Sequence, residues 1–367
     1  MDGVKNACIL LRKKPSFYAV DGVKALLKAL FTQGYDMEEI RLLSQDKLAE
    51  IGTVLQDVRK TYNNVLLAVE KDLLEKVNAT LSGWNCVVKE NGSAIYELDG
   101  TSLFVCSDDG SDTGVDFVKS IILPYLERKG TGKLSSITLR TVGANAVHIG
   151  QLIEMVEKTA KNHITCHHVR VYDEDILKIR CDETISKPLL EEFLRTLVEE
   201  LESSLYAMED VSLEEQLVSL LKVRERRLSV AESFTGGGIA KRITSVSGAS
   251  KVYFEGLNTY DERSKMHRLG VSPETLKSFG AVSEKTAYEM VAGLLKTGNC
   301  DIAVATTGLA GPNSDGSGLP VGLCFIAVGT FEKVRVYQYH FNGSREEITE
   351  KAIQYALYLA YKELKKR

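Results

Sequence analysis

With 367 residues, 44% hydrophobic and 26% charged, the chain has the composition of a globular protein too long for one ordinary core, so two or three domains are expected. Its formal net charge of −4, with both signs interspersed, excludes the electrostatic footprint of a nucleic-acid or anionic-membrane binder and leaves a small-molecule ligand as the expectation. No stretch approaches the roughly 18 to 20 apolar residues of a membrane span, and the first residues lack the apolar core of a secretory signal, so a cytoplasmic protein is expected.

In chain order, residues 7–11 predict a strand, and 20–31 carry a helical pattern that Gly34 closes. A helix over 46–61, a buried strand at 65–69, strands at 86–89 and 103–106 and a helix over 114–126 complete an α/β pattern. Gly130-Thr131-Gly132 marks a boundary. Beyond it, a strand at 136–140, a helix over 146–158, strands at 167–172 and 176–180 and a long helix over 187–205 read as a βαββα unit. A helix over 213–221 leads into the basic run 224–227, which reads as a solvated corner. Strand 228–231, a glycine-opened helix over 239–243 and strand 251–260 follow, and Asp261 caps a short helix. Ser272-Pro273 starts another helix, with proline at its first position. Ser283 caps the next, whose Ala287, Met290, Val291, Leu294 and Leu295 share one face before Gly298 ends it. Residues 302–306 form a continuous apolar strand, 321–328 and 334–341 an antiparallel pair, and a capping box of Ser344 with Glu347 opens the last helix.

Three loops at strand ends carry chemistry. Ala231-Glu232-Ser233-Phe234-Thr235-Gly236-Gly237-Gly238 sets one serine between a short strand and a helix, where free amides at the helix N-terminus would hold a phosphate or an oxyanion. The other two are 260–265 and 306–312, and ligands of open α/β sheets bind at such carboxyl ends. A serine nucleophile needs a base, and the histidines do not supply one: His148, His163, His167 and His168 lie in the middle unit, and His267 and His340 have no obvious carboxylate partner. The Cys166-His167-His168 run reads as a strand rather than a metal site, and no metal or organic cofactor is expected. Seven scattered cysteines with no C-x-x-C pair fit neither a disulfide framework nor zinc. Lysine is the remaining base, and Lys265 qualifies if burial beside Tyr260 lowers its pKa from about 10.4 to about 8, roughly 3 kcal/mol. Thr307, Gly308 and Gly311 would let a hydroxyl and backbone approach a ligand, and Arg345 is a candidate clamp for a phosphate or carboxylate. Gly130-Thr131-Gly132-Lys133 is no P-loop, because Glu127 and Leu134 stand where glycine and Ser/Thr are required.

Eight segments in order, Ala231-Glu232-Ser233-x-Thr235-Gly236-Gly237, Ser247-Gly248-Ala249-Ser250, Thr259-Tyr260 with Lys265, Leu269-Gly270-Val271, Gly280-Ala281-Val282-Ser283-Glu284, Thr307-Gly308-Leu309-Ala310-Gly311-Pro312, Pro320-Val321-Gly322 and Asn342-Gly343-Ser344-Arg345, resemble the CinA C-terminal family. That resemblance implies a nicotinamide mononucleotide (NMN) deamidase, which turns the nucleotide's carboxamide into the acid and releases ammonia. It implies Ser233 as nucleophile, Lys265 as its base with Tyr260 assisting, Thr307 near the reacting amide and Arg345 toward the phosphate. Thr235, Gly236, Gly237, Gly308 and Gly311 would line the substrate. Proton acceptance by Lys265 or by Tyr260 stays open at this point, as do a non-catalytic nucleotide-binding or assembly role and a different nucleotide or small-amide substrate. The order of parts also resembles full-length CinA: a MoaB-like α/β domain over 1–130, a small KH-like α+β unit over 131–207 and a three-layer α/β deamidase domain over 208–367, with a homodimer expected. Two departures stand out. Leu66-Leu67-Ala68-Val69-Glu70-Lys71-Asp72 replaces the family's glycine- and acid-rich loop, and Leu11-Arg12-Lys13-Lys14-Pro15 its early glycine-threonine-glutamate loop, so the first domain reads as degenerate, without pyrophosphatase activity. Gly143 is followed by Ala146 where a second glycine would clamp RNA, so the middle unit is expected to serve assembly.

Overall fold

The structure is a computed structural model that describes residues 5–13, 20–31, 33, 35, 37–81, 83–108, 112–129, 135–160, 164–181, 185–313 and 316–366. The helix stop expected at Gly34, the boundary at Gly130 to Gly132 and His163 lie outside the described residues. The chain separates into two units, Met1–Ser136 and Ile137–Arg367.

In the first unit β1 (Asn6–Arg12), β2 (Glu39–Ser44), β3 (Asn64–Val69), β4 (Asn85–Glu90), β5 (Ser93–Leu98) and β6 (Thr101–Ser107) form one sheet in the order β2-β1-β3-β6-β5-β4. The first four in that order pair in parallel, and β5 and β4 add on antiparallel. β1, β3 and β6 are buried along their whole length, which is why they read as unbroken apolar runs. Cys8, Leu10 and Leu66 pack with α1 (Val20–Phe31) and with the helical stretch made of α4 (Asp112–Phe117), one wide turn and α5 (Leu123–Lys129). Ile9, Leu11 and Leu67 pack with α2 (Ile51–Val58) and α3 (Leu74–Thr80) on the other face. The helix expected over 46–61 starts as a tighter turn at Gln45–Glu50, capped by the Ser44 hydroxyl. Two strands escape the sequence reading: edge strand β2, whose Glu-Ile-Arg-Leu-Leu-Ser mixes charge with apolar residues, and β5, reached by a turn at Asn91 and Gly92 in which both residues have positive φ.

The second unit holds two sheets. β7 (Ser135–Val142), β8 (Ile164–Val171), β9 (Glu174–Cys181) and β10 (Leu205–Ala207) take the order β10-β7-β9-β8. Their core side chains meet α6 (Ala146–Thr159) and α7 (Lys187–Leu201). The long helix expected to 205 stops at Leu201, and the last residues of that range enter short strand β10. The Cys166-His167-His168 run lies on β8, where His168 and Arg170 both donate to the fully buried Asp175.

After α8 (Leu213–Val223), β11 (Leu228–Glu232), β12 (Tyr253–Asn258), β13 (Ile302–Gly308), β14 (Leu323–Gly329) and β15 (Val334–His340) form a five-stranded sheet in the order β12-β11-β13-β14-β15. β12, β11 and β13 are parallel, and β14 and β15 are antiparallel, as the paired pattern at 321–341 predicts. α8, α9 (Gly238–Thr244) and α13 (Arg345–Lys365) cover one face. α10 (Glu262–Leu269), α11 (Pro273–Phe279) and α12 (Glu284–Lys296) cover the other. The expected caps form at Asp261, Ser272 and Ser283, and the Ser344/Glu347 capping box opens α13. Fully buried Gln354 in α13 accepts from the Asp173 amide and donates to the Val171 carbonyl, tying the helix to the β8–β9 turn. No helix among the described residues is long and apolar enough to cross a membrane.

Candidate active site

β11 runs apolar and buried as far as Glu232, and the next residue, Ser233, donates its amide to the Thr306 carbonyl of β13. The Thr259 amide donates to the Glu232 carbonyl from the other side. Register pairs Ala231 with both Leu257 and Ala305, and Glu232 with Asn258 and Thr306. One step on, Thr259, Ser233 and Thr307 stand abreast at the carboxyl ends of three parallel strands. Side chains alternate faces along a strand, and Ala231 and Ala305 belong to the core beneath α10 and α12, so this row of hydroxyls faces the same helices.

Lys265 comes down onto the row from the end of the first turn of α10. It is only 1% exposed, and its Nζ lies 2.9 Å from Ser233 Oγ, 2.7 Å from the Thr259 carbonyl and 3.2 Å from the Tyr260 carbonyl. Burial pushes its pKa from 10.5 down to about 8, against the opposing pull of the Glu262 and Asp261 carboxylates. A neutral amine has two N–H donors and one lone pair. The two carbonyls take the donors, which leaves the lone pair for the Ser233 hydroxyl proton.

The amides of the elbow are distributed otherwise than the sequence suggests. The carboxylate of Glu232, 1% exposed, accepts from the Gly237, Ile239 and Ala240 amides at 3.1, 3.1 and 2.9 Å. A carboxylate of the protein itself thus fills the N-terminus of α9, where the sequence reading places an anion of the ligand. The Gly236 amide donates to the Ser233 carbonyl and the Gly238 amide to that of Thr235. Among the described residues, the Phe234 and Thr235 amides are the ones at this turn that donate to no protein acceptor. Gly236 and Gly237 turn the chain at φ 62° and 96°, a conformation that favours glycine.

The remaining expected site residues fall around this centre in different ways. Thr307 donates its hydroxyl to the Ala281 carbonyl at 2.7 Å. The Thr235 hydroxyl pairs with that of Thr306 at 2.7 Å, on the opposite sheet face from Thr307, so its side chain is turned from the Ser233 row. Tyr260 accepts from Lys265 through its carbonyl; the residue is 64% exposed, and its hydroxyl accepts from Arg345 at 3.4 Å. Arg345, the first residue of α13, also donates to the Gly311 carbonyl at 2.6 Å, which joins the loop after β13 to Tyr260. Gly308 has no room for a side chain, because a Cβ there would lie 2.5 Å from that of Cys324. Glu232 is the site residue that sequence reasoning passes over, though an acid at the end of an apolar strand just before a glycine turn and a helix is a recognisable capping signal.

Fold and site together define an α/β protein with a buried serine–lysine pair at parallel strand ends. A family model for the CinA C-terminal domain matches residues 210–364. A competence-damage inducible protein of Caldicellulosiruptor bescii is 32% identical over 340 residues, which cover 86% of this chain and 83% of that protein. One from Caldicellulosiruptor saccharolyticus is 36% identical over 238 residues, 64% of this chain and 58% of that protein, so the chain matches little more than half of that relative. A crystal structure of a CinA superfamily protein from Klebsiella pneumoniae shares 31% identity over 41% of this chain and 95% of its own, with a TM-score of 0.41. The chain belongs to the CinA family.

Proposed function

We propose that the protein is an amidohydrolase that converts NMN to nicotinate mononucleotide and ammonia. The observation that carries the reading is the 2.9 Å approach of Lys265 Nζ to Ser233 Oγ in a buried setting that lowers the lysine pKa to about 8. Neutral Lys265 takes the Ser233 proton as the hydroxyl oxygen attacks the carboxamide carbon. The resulting oxyanion is held by the Phe234 and Thr235 amides, the donors at the turn left without a protein acceptor. Lys265 then returns the proton to the leaving nitrogen, the C–N bond breaks, and ammonia departs. Water, deprotonated by the same amine, cleaves the ester and frees Ser233. Arg345, with Tyr260 beside it, holds the substrate phosphate at the mouth. The substrate itself comes from the family resemblance, since many amides would satisfy the chemistry. The scheme uses no metal and no organic cofactor.

Division into 1–130, 131–207 and 208–367, a first domain without pyrophosphatase activity, a homodimer and a cytoplasmic location belong to the same proposal. Purified protein should release ammonia from NMN, and Ser233→Ala or Lys265→Ala should lower the rate by about 1,000-fold or more. Calorimetric binding of NMN with no ammonia release would replace the enzyme with a nucleotide-binding scaffold.

A further inference from the structure

At the opposite end of the five-stranded sheet from Ser233, the amino ends of β11 and β13 meet the β14–β15 turn and the end of α13 around a cleft of about 690 Å³. The distance is one strand length, roughly 17 to 20 Å. Five cationic and three acidic side chains line this cleft, so its local charge is opposite to the chain's net −4. Three of the cations are held in place by acids: Arg226 donates to Asp301 at 3.1 Å, Arg335 to both carboxylate oxygens of Glu363 at 2.5 and 2.6 Å, and Lys366 to Glu363 at 2.6 Å. Two others, Arg224 and Lys333, enter no ion pair among the described residues, and they line the cleft from opposite sides, the α8–β11 turn and the β14–β15 turn. Glu225 between the two arginines adopts φ 53°, unusual for a residue with a side chain, and the bend brings Arg224 and Arg226 to the same cleft. The basic run that reads from sequence as a solvated corner is therefore half anchored and half open.

The floor and rim give the cleft a second chemistry. Ile302 and Leu364 are buried beneath it, and Phe331 stands at the edge, 66% exposed. Glu332, between Phe331 and Lys333, also lines the cleft, and an aromatic platform beside an excess of cations matches a ligand with a flat ring at one end and a phosphate at the other. The excess of two positive charges equals the charge of a phosphate monoester dianion.

We propose that this cleft is a second binding site, for a nucleoside monophosphate, separate from the Ser233 site. Arg224 and Lys333 hold the phosphate, and Phe331 stacks on the base. The site stands independently of the amidase reading.

Isothermal titration of the full-length protein at low salt tests it, with adenosine monophosphate, adenosine and inorganic phosphate as probes. The nucleotide should bind more tightly than either fragment. Arg224→Ala combined with Lys333→Ala should weaken it roughly tenfold or more, while Arg224→Lys with Lys333→Arg retains binding. Phe331→Ala should weaken the nucleotide and leave phosphate unchanged, and Arg345→Ala should leave nucleotide binding intact. The proposal is overturned if the nucleotide gives no heat at millimolar concentration, if phosphate binds as well as the nucleotide, or if binding survives the double alanine variant and disappears with Arg345→Ala.

Discussion

At the level of single residues, the proposed reaction takes its pH response from the Ser233–Lys265 pair. Lysine acts as a base only when neutral, and its pKa stands near 8, so kcat/KM should rise about tenfold per pH unit below that point and level off above it. A rate that is flat from pH 6 to 9 would remove Lys265 from the role of base. Glu232 makes a different contribution. Its carboxylate satisfies three amides that otherwise stand at a buried helix N-terminus, and Glu232→Gln substitutes an NH2 group for one of the acceptor oxygens. We expect that variant to lose about 1 to 3 kcal/mol in urea denaturation, and its kcat to fall more than its KM rises as Ser233 loses its fixed position. The sequence displays the serine, the lysine and the arginine in recognisable motifs, yet nothing in their spacing says that Tyr260 offers its carbonyl rather than its hydroxyl. That depends on a chain direction set by the Asp261 cap and the start of α10.

Among elements, helix packing on the α10 side fixes the lysine. A Cβ at Gly293 of α12 would lie 2.0 Å from the Leu269 carbonyl at the end of α10, a backbone atom that cannot swing aside. Gly293→Ala should therefore cost about 1 to 3 kcal/mol of stability, and by displacing α10, which carries Lys265, it should also reduce turnover in the proposed reaction. Unchanged ammonia release in a destabilised variant would mean that α10 keeps its seat by other contacts. The elements readable from sequence are those with one dominant signal: the apolar runs of β1, β3 and β13, and the capped helices α10 to α13. Those that escape lack one or hide it. β2 is an edge strand with Ile40 and Leu42 exposed, so no burial pattern marks it. β5 follows Asn91-Gly92, a strong hairpin signal that the reading of 86–89 and 103–106 as separate strands leaves unused.

For the molecule as a whole, two units with their own cores should melt with their own cooperativity. Leu67, fully buried in the first unit, tests this: Leu67→Ala should lower one calorimetric transition by about 2 to 5 kcal/mol worth of stability and leave ammonia release at 25 °C unchanged. A single transition that shifts entirely would mean one cooperative body. Within the second unit, α13 is a stiff rod of 21 residues, about 32 Å long. It is pinned near its midpoint, where Gln354 grips the β8–β9 turn, while Arg345 begins it beside Tyr260 and Gly311 and Glu363 near its other tip braces Arg335. Side chains buried from Ile348 to Leu364 also clamp it to the core along nearly its whole length, and Tyr358 and Lys362 donate to the Ser203 carbonyl, so it serves as a keel: a push at either tip is spread over the entire beam instead of swinging it.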